Sequence, residues 1–239
     1  MTSLYRKTLF ILWMLLMHRV ATADDITVTN LPSGYFPVYL LALTWWPEYC
    51  TTINEYNCSQ LSGKYTQTHI GLHGLWPQYY RIPATYPTYC LDSPGGDAFD
   101  KNKLTQETWQ HYQSLVPFDA EQLAQHEWAK HGTCSGLTQQ QFFQKSIQAA
   151  MLTLGTPIGF QSYIGKSLSY TQLANFFGGV DRVELICDYD STDDKYYFSQ
   201  VITIWDKNTS KPLSNPGFES SCPKNKPIYI RSVGNPSKK

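Results

Sequence analysis

Four of the chain's six histidines fall in two short clusters, His69 with His73 and His126 with His131. Imidazole titrates nearest to neutrality, so two of them can divide the roles of general base and general acid. The second cluster belongs to His126-Glu127-Trp128-Ala129-Lys130-His131. At roughly 100° per residue on a helix, His126 and His131 diverge by about 140°. That is wrong for chelating one ion, which the zinc-protease pattern HExxH achieves with a spacing of four. The same arithmetic sets His126 over Lys130 and Glu127 over His131, each pair about 40° apart on neighbouring stripes. One stripe carries two potential cations, and the other an imidazole beside a carboxylate. A structural zinc site using these histidines with Cys134 is the weaker alternative.

This set suits cleavage of RNA by its own 2′-hydroxyl, which needs a base for that proton, an acid for the leaving 5′-oxygen, and cations for the charge growing on phosphoryl oxygens. Lys130 and a protonated His126 supply the positive charge, and Glu127 is expected to orient or moderate His131. No metal and no cofactor is called for. The partner imidazole must come from a rigid strand end, and His73 in Gly71-Leu72-His73-Gly74-Leu75-Trp76-Pro77 meets that need. Gly74 gives backbone room, and Trp76 offers a ring on which a base could stack. Alone, His73 would be a satisfied strand-end histidine and Trp76 a core residue; the second cluster changes that balance.

The elements that must hold these groups follow from periodicity and punctuation. Val38 to Trp46 is an apolar, β-prone run, and His69 to Leu75 a second that ends at the turn formers Trp76-Pro77. Leu104 to Val116 reads as a helix ending at Pro117, and Ala120 to His131 as a clearer one with Asp119 as N-cap and Gly132 beyond its end. Thr138 caps a third, whose Phe142, Phe143, Ile147 and Met151 make an apolar stripe for the core. Val183 to Tyr189 and Tyr196 to Trp205 flank a turn and form an antiparallel hairpin, with Ile228 to Arg231 as a further edge. The expected fold is α+β, a single domain with a central antiparallel sheet and helices packed mainly on one side.

Hydrophobic residues make up 42% of the 239, enough for one substantial core. Arg6 and Lys7 precede an apolar run from Leu9 to Met17, and Ala21-Thr22-Ala23 supplies a small-x-small site, so residues 1–23 read as a signal peptide and 24–239 as the mature domain. The run is far short of the roughly 20 residues that span a bilayer. Secretion, or delivery to an endolysosomal or vacuolar compartment, follows. There the six cysteines can form three bridges, whose connectivity spacing alone does not select. Of two glycosylation sequons, Asn208 is the better acceptor, because Asn57 precedes Cys58. Without the signal, 16 basic residues face 19 acidic ones. Broad attraction to phosphate is thereby excluded, and an RNA substrate must be gripped locally, in a cleft. A monomer with no membrane partner is expected.

The segments His73 to Pro77, HGLWP, and His126 to Cys134, HEWAKHGTC, together resemble the paired active-site signatures of the ribonuclease T2 family. A weaker likeness runs from about Val38 to Ile230. The resemblance implies an α+β fold and endonucleolytic cleavage through a 2′,3′-cyclic phosphate to 3′-phosphate ends. Carried over by position, His131 is the general base and His73 the general acid of the first step. Glu127 and Lys130 stabilise the transition state, His126 binds phosphate, and Trp76 with Gln78 lines a base pocket. It also implies the bridges Cys50 to Cys58, Cys90 to Cys134 and Cys187 to Cys222. Three positions depart from the pattern. Trp46 fills a slot that is proline in plant members, Thr44 one that is often glutamine, and Leu123 one that is often aromatic. A secreted binding protein with incidental nuclease activity is the main rival, against which the intact His73, Glu127, Lys130 and His131 speak.

Overall fold

A computed structural model describes residues 32–52, 70–79, 86–116, 119–154, 159–215 and 219–232. The signal expected at 1–23, His69, Asn57 and Cys58 lie outside them.

Seven buried residues, Val38–Thr44, form β1 at the centre of the molecule. Antiparallel neighbours flank it, β2 (Gly71–Gln78) on one side and β5 (Lys195–Asp206) on the other. The hairpin partner β4 (Val183–Asp190) pairs with β5 from its far side. Short strands β3 (Ser167–Leu168), β6 (Pro212–Leu213) and β7 (Ile228–Tyr229) complete the sheet. β7 runs parallel to β5, whereas the other strand pairs among the described residues are antiparallel.

Strand alternation divides the core in two. Tyr39, Leu41 and Leu43 point to one face, where Tyr112, Leu123, Trp128, Phe142 and Phe143 from the helices cover them. Val38, Leu40 and Ala42 point to the other, where they pack with Ile202 and Ile204 of β5 and the partly buried Trp76. Helices thus gather on one side, as the pattern implied. They are α2 (Gln106–Leu115), α3 (Ala120–Lys130) and α4 (Gln139–Leu154), with α1 (Trp46–Thr52) and α5 (Tyr170–Asn175) shorter. None among the described residues is long and apolar enough to cross a membrane.

Three expectations are corrected. The first strand stops at Thr44, because Trp46-Pro47 opens α1, and proline fits the first turn of a helix, where its missing N–H costs nothing. The second strand continues through Trp76-Pro77 to Gln78, because β2 lies at the sheet's edge, where proline's lost donor is tolerated. Met151 is 56% exposed and leaves the α4 stripe, of which Phe142, Phe143 and Ile147 are buried.

Candidate active site

His73 owes its aim to a β-bulge. Ala42 pairs with Gly74 and Leu43 with Leu72, so β2 gains a residue on β1 at His73. Bulges re-aim side chains in this way. His73 is buried, with its Nδ1 3.4 Å from Thr44 Oγ1. Rings of Trp46, Tyr49 and Trp76 surround it at centroid distances of 5.5, 5.3 and 5.3 Å. Thr44 and Trp46, two of the departures, are therefore His73's immediate neighbours.

The second cluster rides on α3. The Asp119 side chain caps the helix by accepting from the Gln122 N–H, as expected. Leu123, Ala124 and Trp128 bury one face, which turns Glu127 and His131 inward and leaves His126 exposed and Lys130 half-buried. His126 and Lys130 thus stand at the rim, while the carboxyl and the His131 imidazole stand inside. At the helix end Gly132 is required, since a Cβ there would meet the Trp128 ring at 2.3 Å. The chain then turns through Gly132–Cys134, and Cys134 is bridged to Cys90. With its sulfur so used, Cys134 cannot complete a zinc site with His126 and His131. Tyr89 N–H donates to Lys130 O, which with the bridge docks the Tyr86 loop on the end of α3. Cys187 is bridged to Cys222, and Cys50 is disulfide-bonded.

A cleft of about 440 Å³ collects every expected catalytic and substrate-binding residue, namely His73, Trp76, Gln78, His126, Glu127, Lys130 and His131. Leu40, Tyr49, Tyr86 and Gln200 also line it. Sequence reading missed these four. Tyr86 had one legible signal, its place four residues before a cysteine implied to bridge to the α3 terminus. A wider groove of about 700 Å³ between α2 and α4 carries only His111 and Glu107 as titratable groups, so size does not locate the chemistry. Among the described residues no group of three histidine, cysteine or acidic side chains is arranged to hold a metal ion.

Glu127 does not face His131 as expected. Its Oε2 accepts from Trp76 Nε1–H at 2.8 Å, and its Oε1 lies 3.8 Å from His73 Nε2. His131 instead stacks on Trp76 at 5.3 Å and on Tyr86 at 6.1 Å. Gln78 is buried, its Oε1 accepting from Tyr79 N–H. Burial dominates the electrostatics. It holds His131 well below the ordinary histidine range, with Lys130, His126 and His73 adding to the effect. His73 is pushed down to about 3 by burial and by His126 and Lys130. Burial pushes Glu127 up to about 8, against the Trp76 hydrogen bond and Lys130. In mild acid both imidazoles are therefore neutral beside a protonated carboxyl.

The profile described as "Ribonuclease T2 family" matches residues 36–225. A ribonuclease of Aeromonas hydrophila is 38% identical over 114 residues, 47% of this chain and 44% of the relative. A probable ribonuclease of Haemophilus influenzae is 37% identical over 165 residues, 64% of this chain and 57% of the relative. The chain spans about half the length of these relatives. A solved structure of ribonuclease MC1 from bitter gourd seeds superposes with a TM-score of 0.63 at 21% identity, covering 82% of this chain and 100% of that one. A likeness at that identity concerns the fold.

Proposed function

From the premise that the chain belongs to the ribonuclease T2 family, we propose that it is a metal-independent endoribonuclease acting by attack of the substrate's 2′-hydroxyl. The observation that carries this reading is that His73 and His131, 58 residues apart, enter one cleft and contact the same ring, Trp76, at 5.3 Å each. His131, neutral in acid, takes the 2′-hydroxyl proton. The oxygen attacks phosphorus, and the bond to the 5′-oxygen breaks as His73 delivers a proton to it. A phosphodiester anion in the cleft opposes the desolvation of His73 and raises its proton affinity, so substrate itself arms the acid. Glu127, whose proton stands beside His73 Nε2, and Lys130 stabilise the charge on the phosphoryl oxygens, and His126 at the rim binds phosphate.

The second step reverses the roles, water opening the 2′,3′-cyclic phosphate to a 3′-phosphate. A base pocket lies against Gln78 and Trp76, with the secretory route and glycosylation at Asn208 as further parts of the reading. Asn208 is exposed, which supports the last. Incubation with a defined oligoribonucleotide, with and without chelator, tests the proposal. Cyclic and 3′-phosphate ends formed equally in both are expected. Cleavage abolished by chelator, or 5′-phosphate ends, would overturn it.

A further inference from the structure

The indole of Trp76 is tied to the catalytic groups by more than apolar contact. Its Nε1–H donates to Glu127 Oε2 at 2.8 Å, its face stacks on His131 and its ring stands nearly perpendicular to that of His73. Glu127 is 2% exposed, and its Oε1 makes no hydrogen bond among the described residues. A protonated carboxyl keeps its hydrogen on one oxygen and accepts with the other. The oxygen that accepts the indole N–H is the bare one, so the proton is confined to Oε1, which faces His73 and the cleft. Gly74 opens this seat. A Cβ there would stand 1.9 Å from Glu127 Oε2 and 2.4 Å from Trp76 Nε1.

We propose that Trp76, seated over Gly74, is a positioning residue that selects which oxygen of Glu127 presents a proton to the scissile phosphoryl group. The assignment rests on the ribonuclease reading above. Among the described residues, the charged and titratable groups around the carboxyl are His73 from β2, Lys130 and His126 from α3 and His131 at its C-cap, with Tyr49 of α1 behind His73. Lys130 favours the carboxylate, as does the indole N–H, whereas burial favours the acid and prevails. Neutral Glu127 is then a hydrogen-bond donor to a phosphoryl oxygen that a carboxylate would repel.

A double-mutant cycle tests this. Trp76→Phe keeps a ring for stacking and removes the N–H. In the parent it should lower kcat by about 10- to 100-fold, the range for losing one hydrogen bond that holds a buried reacting group. KM should hold within about twofold, and the alkaline limb of the pH profile should move upward, because a donor to the anion is gone. In a Glu127→Ala background the same change should cost less than about threefold. Equal losses in both backgrounds overturn the assignment, as does a raised KM with kcat intact, the behaviour of a base-stacking platform. If Trp76→Phe does not fold, benzothienylalanine at position 76 keeps the shape without the N–H and reads the same quantities. A parent that leaves RNA uncut would overturn the ribonuclease reading and this assignment with it; a parent that cuts, with additive losses, overturns the assignment alone.

Discussion

Glu127→Gln should stabilise the protein at neutral pH while leaving it more active than Glu127→Ala. The carboxyl is almost wholly buried, and its pKa stands at about 8 against an ordinary 4.5. A raised folded-state pKa contributes stability that is complete below 4.5 and is lost as pH rises toward 8. At pH 7 that loss amounts to about 3 kcal/mol. A glutamine does not titrate, and its amide can accept from Trp76 with one end and donate toward His73 with the other. For a chain of this size the gain corresponds to a melting temperature higher by roughly 6 to 12 °C at pH 7. No gain is expected at pH 4.5, where parent and variant are both neutral. His73 moves the opposite way, its contribution present above the ordinary histidine pKa and lost as pH falls toward about 3. Both proteins share that loss, so it cancels in the difference. Calorimetry at the two pH values measures the effect. A variant that melts below the parent at pH 7 would refute the neutral site and show a His73–Glu127 ion pair instead, since removing one partner of a buried pair destabilises.

Lys130→Met should move the acid limb of the rate profile up toward the ordinary histidine range, because Lys130 helps hold His131 down; an unmoved limb in initial-rate assays would separate that limb from His131. His73→Ala and His131→Ala should each lower kcat by more than about 10³-fold, with the double variant little worse, since acid and base act as a unit; multiplying losses would count against the paired roles. Replacing Cys90 and Cys134 together by alanine should destabilise by about 4 kcal/mol for a separation of 44 residues. It should also lower activity more than loss of Cys187–Cys222, because Cys134 closes the turn that follows His131 at the end of α3; denaturant titration beside kinetics checks both.

Much of α3 was legible because its determinants are local. Asp119 caps it, Leu123, Ala124 and Trp128 space its buried face, and the angular arithmetic separates His126 and Lys130 from Glu127 and His131. The α+β class and the hairpin of β4 and β5 followed from periodicity in the same way. What depended on packing across the chain was not legible. Glu127 sits on the stripe beside His131, yet its partners are Trp76 and His73, because the bulge and Gly74 of β2 bring that strand against α3. Trp46 reads as the end of an apolar strand; Pro47 permits the helix that starts there, but the packing of Trp46 near Gly71 and His73 is visible only in the structure. Gln200 reaches the cleft from β5 by register with Thr44, a pairing that no short-range signal encodes.

The central claim, that the substrate's own 2′-hydroxyl is the nucleophile and two imidazoles move its protons, meets its most direct test in a deoxyoligonucleotide carrying one ribonucleotide. The protein should cut only at that residue, in the presence of chelator, leaving a 2′,3′-cyclic phosphate on the upstream fragment before the 3′-phosphate appears. Cleavage that persists when this single 2′-hydroxyl is removed would contradict the account.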